Sequence, residues 1–181
     1  LFIRRADWLV ENQQLTEDGA ALWYHTAGWG KDKKPWTSAM TQGFALSGLC
    51  RAYQETKDAK YLETARRALK GFDIPVEEGG LTAVDSAGNT FFEEWAFSPP
   101  IHILNGHIFA LFGLHDYYRA TGDSHALELF EAGIEAIRNR LPDYDVGFWS
   151  RYSLHQTRNW RNHWTIAAPI YQQVHVDQLR F

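Results

Sequence analysis

FALSGLCRAYQETKDAKYL, Phe44 to Leu62, and FALFGLHDYYRATGDSHAL, Phe109 to Leu127, stand 65 positions apart and share one pattern. In the first, Ala45, Leu49 and Ala52 recur at helical spacing, and after a break Leu62, Ala65 and Leu69 do the same. The break is Thr-x-Asp in both copies, and Asp58 and Asp123 each offer a side-chain oxygen to the bare N–H groups of the helix that follows. A helix pair present twice implies an array of paired helices.

The flanking sequence extends that array. RRADWLVENQQ has the pattern of an earlier helix. HALELFEAGIEAIRNRL has that of a later one, expected to end at Leu141 because Pro142 disfavours helix in the residue before it. Two inserts break the helical pattern. GGLTAVDSAGNTFFEEWAF predicts a β-hairpin turning at DSAGN, and YDVGFWSRYSLHQTRNWRNHWTI alternates aromatic and polar residues as extended chain does. Helical hairpins with short β excursions at one end predict a mainly α fold, a partial (α/α) barrel or toroid whose inserts rim a cleft. Residues 1–181 are expected to form a single domain. The chain opens on Leu1, and its last apolar pattern, VHVDQLRF, is still running at Phe181. A segment of a longer chain is therefore expected.

Composition excludes several functions. A net charge of −4 with interspersed signs provides no basic surface for nucleic acid. The single cysteine, Cys50, cannot form a disulfide or a cysteine zinc site within the chain. The apolar runs are shorter than a membrane span and LFIRRADWLV is not a signal sequence, so any membrane anchor is expected outside this chain. No His-Glu-x-x-His run occurs, and His102, His107 and His115 do not share helical spacing, so no metal is expected. Nucleophile-elbow, phosphate-loop and dinucleotide patterns are likewise absent. Eight Trp within 15% aromatic residues suit core packing and also stacking on sugar rings.

Three stretches carry candidate chemistry. In FFEEWAFSPP, alternation sends only one of Glu93 and Glu94 into a cleft, where an aromatic wall would raise its pKa toward acid–base use; the alternative is a solvated pair. In FWSRYSLHQ, Trp149 and Arg151 share one face and Tyr152 takes the other. In IYQQVHVDQLRF, Tyr171 and His175 lie one turn apart if the segment is helical. For each tyrosine the alternative is a buried ring with a satisfied hydroxyl.

These stretches, with Pro-Trp-x-Ser-Ala-Met-x-Gln-Gly at 35–43, Leu-Asn-Gly at 104–106, Tyr-Asp-x-Gly at 144–147 and Tyr-x-x-x-His-x-x-Gln-Leu at 171–179, resemble the C-terminal domain of D-glucuronyl C5-epimerases. The resemblance runs from about Trp36 to Leu179. It implies an (α/α)-barrel enzyme that converts D-glucuronate to L-iduronate in a heparan-type, uronate-containing polysaccharide, without a redox cofactor. It further implies catalytic roles for Glu94, Tyr152 and Tyr171, and substrate contacts from Trp95, Asn105, Trp149, His155, Arg158 and His175, with a core role equally open for Asn105 and Trp149. Trp95 stands where the family has Tyr, and His155 where it has Arg, with Arg158 and Arg161 as replacement cations. A homodimer is an open possibility.

Epimerisation at C5 removes a proton beside a carboxylate and returns one from the opposite face. It needs two proton-transfer groups and a neutralised carboxylate. Glu94 is the expected base, Tyr171 the expected acid and Tyr152 a donor or relay. A polysaccharide lyase and a catalytically inactive glycan-binding domain are the alternatives.

Overall fold

The two copies of the repeat fold alike. The computed structural model describes residues 1–26, 35–154 and 165–180. In the first copy α2 (Ala39–Thr56) turns into α3 (Ala59–Leu69); in the second α4 (Leu104–Thr121) turns into α5 (Ser124–Tyr144). Each leading helix ends on a left-handed residue, Lys57 at φ 59° and Gly122 at φ 73°, whose N–H bonds the carbonyl of Tyr53 or Tyr118. Asp58 then caps Lys60 N–H, and Asp123 caps those of His125 and Ala126. The threonine of Thr-x-Asp returns its hydroxyl to the carbonyl four residues back, Ala52 or Tyr117.

Helices α2 and α4 lie side by side. Phe44 meets Phe109 near their starts, and Ser47 and Arg51 meet Asp116 further along, so the two run in the same direction. Glycine permits the approach: a Cβ on Gly43 would sit 2.6 Å from the Phe109 carbonyl oxygen and 2.7 Å from Ala110 Cα. The main core lies between this pair and α3, with Leu46, Leu49, Tyr61, Phe72, Phe92 and Leu111 buried there. Helix α1 (Phe2–Glu11) and the two-residue strands β1 (Gln14–Leu15) and β2 (Ala21–Leu22) close it at one edge.

The expected hairpin is present as β3 (Thr82–Val84) and β4 (Thr90–Phe92), antiparallel with Ala83 opposite Phe91. Asp85 shapes its turn by accepting from the N–H groups of Ala87 and Asn89. The second insert pairs as single bridges, Ile103 with Ser153 and Arg151 with Ile166, before α6 (Pro169–Gln178). One expectation is corrected: α5 does not stop at Leu141 but carries Pro142 in its last turn. Tyr144 packs with Leu104 and Ile108 and donates its hydroxyl to the His102 carbonyl, 2.7 Å, which offsets the one backbone bond the proline cannot make.

Candidate active site

β4 delivers two carboxylates into the protein. Glu93 N–H bonds the Leu81 carbonyl, its own carbonyl accepts from Ala39 N–H, and Ala96 N–H bonds Thr37. The main chain is thus tied on both sides of Glu94. The two side chains diverge as alternation requires, yet neither is solvated: Glu93 is 0% and Glu94 7% exposed.

Glu94 meets the first turn of α4. Asn105 Nδ2 donates to its Oε2 at 3.1 Å. A side chain on Gly106 would collide with it, the Glu94 Cγ lying 2.8 Å from the position a Cβ would take. The Tyr152 hydroxyl donates to Glu94 Oε1 at 3.3 Å, and the Tyr152 ring lies 4.7 Å from that of Tyr171. A line of hydroxyl-bearing rings therefore leads from the 38% exposed Tyr171 to a buried carboxylate.

Electrostatics assigns the protons. Burial raises the pKa of Glu94, the bonds from Tyr152 and Asn105 pull it back, and the charge of Glu93 raises it again. Burial, then the Glu94 charge and Tyr171, push Tyr152 far above the usual phenol range. Tyr152 therefore keeps its proton and donates, while both Glu94 oxygens accept and the carboxyl has a raised affinity for a proton.

Helix α6 is braced so as to hold Tyr171. Gln172 Oε1 accepts from Ser150 N–H at 2.8 Å and Ser150 Oγ at 2.6 Å. Ser150 Oγ also meets His175 Nδ1 at 2.7 Å. Since the serine proton goes to Gln172, His175 must donate through Nδ1. Burial lowers the His175 pKa to about 4, so the ring is neutral. Gln178 Nε2 ties the end of the helix to the Asn105 carbonyl at 3.1 Å.

Of the residues expected from sequence, the structure gathers Glu94, Asn105, Tyr152 and Tyr171 into one contact chain. His175 is 1% exposed and braces α6. Trp149 is half-buried and donates Nε1–H to the Ala167 carbonyl at 2.7 Å, a packing role. Trp95, also half-buried, lies 6.3 Å from Phe97, which in turn lies 5.7 Å from Trp36, forming an aromatic strip beside Glu94. His155, Arg158 and Arg161 lie outside the described residues. Sequence reasoning passed over Gly106, Ser150, Gln172 and Gln178, although Gly106 and Gln178 stand inside motifs it had singled out. Among the described residues no group of three or more His, Cys, Asp or Glu side chains is arranged to hold a metal.

Residues 20–181 match the family profile described as D-glucuronyl C5-epimerase C-terminus. The chain is 34% identical over 167 residues to the D-glucuronyl C5-epimerase of Caenorhabditis elegans, covering 84% of this chain and 27% of that one. It is 38% identical over 122 residues to an uncharacterized protein of Methanocaldococcus jannaschii, covering 66% of this chain and 40% of that one. It thus spans well under half the length of these curated relatives. In fold it is similar to a sugar epimerase from a ruminal bacterium (TM-score 0.58, 20% identity, 83% of this chain and 39% of that one). It is likewise similar to cellobiose 2-epimerase from Spirochaeta thermophila (TM-score 0.58, 18% identity, 82% of this chain and 36% of that one).

Proposed function

The chain belongs to the D-glucuronyl C5-epimerase family through its C-terminal domain, and from that premise we propose that it is a uronate C5-epimerase acting on a glucuronate-containing polysaccharide. Its paired helices are then one sector of an (α/α) barrel, a reading supported by the shared direction of α2 and α4. The observation that carries the proposal is the contact chain Glu94, Tyr152, Tyr171.

Glu94 takes the C5 proton, and the electron pair of the broken C–H bond passes into the uronate carboxylate. Tyr171 returns a proton to C5 from the opposite face and is left as phenolate. Tyr152 closes the cycle by passing its proton to Tyr171 while receiving that of Glu94. The cost of charge on the carboxylate falls to cationic partners, for which the sequence offers His155 and Arg158. No redox cofactor enters this balance.

The test is deuterium incorporation at C5 of a heparosan-type oligosaccharide in heavy water, with ultraviolet absorbance followed in parallel. Label without a new double bond supports the epimerase. A double bond indicates a lyase, in which Tyr152 would protonate the leaving oxygen, and binding with neither signal indicates an inactive glycan-binding domain. Tyr171→Phe is expected to abolish label uptake while leaving the circular dichroism spectrum intact.

A further inference from the structure

Glu93 stands beside the proposed base, yet the reaction above does not use it. It is fully buried and its carboxylate collects three donors: Oε2 accepts from Ile101 N–H at 3.3 Å and His102 N–H at 3.1 Å, and Oε1 meets His102 Nδ1 at 2.6 Å. Its main chain is bound to Leu81 on one side and Ala39 on the other. One residue therefore joins the hairpin, the start of α2 and the far end of the 95–102 loop. His102 adopts φ 53°, a region that non-glycine residues enter at a cost, and the Glu93 carboxylate holds it there together with the Tyr144 hydroxyl on its carbonyl and the Phe91 ring stacked on its imidazole.

We propose that Glu93 is the positioning residue for Glu94: its three-donor clamp, with its main chain tied to Leu81 and Ala39, fixes where the base stands. The inference rests on reading Glu94 as the base. Glu94 feels burial, donors from Tyr152 and Asn105, and the like charge of Glu93. Around Glu93 the titratable neighbours are His102, His107, Tyr144 and Glu94. Of these, His107 is neutral, because burial lowers its pKa to about 4 while its Nδ1 accepts from Phe92 N–H and its Nε2 donates to the Gly133 carbonyl. Tyr144 is held protonated by burial.

Charge and clamp can be separated by substitution. In Glu93→Gln the amide oxygen keeps both backbone donors and the amide nitrogen faces His102 Nδ1, which accepts in the other tautomer. Glu93→Asp keeps the charge but shortens the clamp. His102→Gln keeps a donor for Glu93 and removes the imidazole.

The decisive measurement is the titration midpoint of Glu94 by NMR of protein labelled at the glutamate carboxyl carbons, assigned with Glu94→Gln, together with the pH profile of C5 exchange. Glu93→Gln is expected to lower the Glu94 midpoint and to move the acid limb of exchange the same way. Glu93→Asp is expected to keep the midpoint and lower kcat with little change in KM, and His102→Gln to leave the midpoint in place or raise it. An unchanged kcat in Glu93→Asp, whose shortened side chain cannot hold the clamp, overturns the proposal. Because the midpoint is read without turnover, a midpoint that shifts as expected in Glu93→Gln, beside a wild-type protein that exchanges nothing, would refute the epimerase reading alone.

Discussion

The two helix pairs differ most where they are most alike. At matching positions of the repeat, Gln42 in α2 and His107 in α4 are buried polar residues that reach to the second helix of their own pair. Gln42 Nε2 donates to the carbonyls of Ala68 and Ala21, and His107 Nε2 donates to Gly133 while Nδ1 accepts from Phe92 N–H. Ala68 and Gly133 are themselves repeat equivalents. Each residue thus binds its helix pair to the strand that precedes it. The first copy does so with an amide that never titrates, the second with an imidazole near the buried carboxylate of Glu93. In the proposed reaction the repeat serves as scaffold, and the groups proposed for chemistry lie in what precedes α4 and in its first turn.

The sharpest break of that asymmetry is Glu94→Gln, which removes the proposed base while its amide oxygen still accepts from Asn105 and its amide nitrogen can donate to the Tyr152 hydroxyl. Exchange at C5 is expected to fall by about 10²- to 10⁴-fold with an unchanged melting temperature, as seen by NMR and calorimetry. Retained exchange would leave the second copy with no special chemistry.

Next come Gln42→Leu and His107→Leu, which strip the equivalent braces. Each leaves buried backbone groups without partners and is expected to cost roughly 1–3 kcal/mol in urea unfolding. If only one destabilises, the two residues are not equivalents.

The copies should also part with pH. The buried imidazoles of His107 and His175 have pKa values lowered to about 4, below the unfolded reference of about 6.5. Between those values the unfolded chain binds more protons than the folded one, so stability is full above about pH 6.5 and falls as pH drops toward 4. For His107 the loss is on the order of 2–3 kcal/mol, and His107→Gln should flatten the slope in chemical denaturation across this range.

The smallest effect lies at the breaks. Lys57 occupies the left-handed position that Gly122 occupies in the second copy. Lys57→Gly is expected to stabilise by about 0.5–1 kcal/mol, and Gly122→Lys to cost a similar amount, since only glycine adopts that conformation without a Cβ penalty. Equal and opposite shifts in melting temperature would establish that the two turns are interchangeable.

Much of this was legible in the sequence. The aspartate caps, the β3–β4 hairpin and the helical face of Ala45, Leu49 and Ala52 rest on local chemistry that neighbouring residues decide among themselves. Tyr171 and His175 did prove to share a helix, but their roles separate: one ring lies partly exposed beside Tyr152, the other is sealed against Ser150. Alternation along the sequence sends only one of Glu93 and Glu94 into a cleft, or leaves a solvated pair. Burying both required donors from residues 101, 102, 105 and 152, which no local pattern reveals.

By itself the sequence determined the paired helices, their breaks and the residue types at the site, because periodicity, capping and motif spacing act over a few residues. The tertiary structure decided which carboxylate meets the tyrosines, which histidine becomes a brace and how far α5 runs past Pro142. Those outcomes depend on the dielectric and the hydrogen-bond partners that distant segments bring, and a buried charge or imidazole takes its character from them.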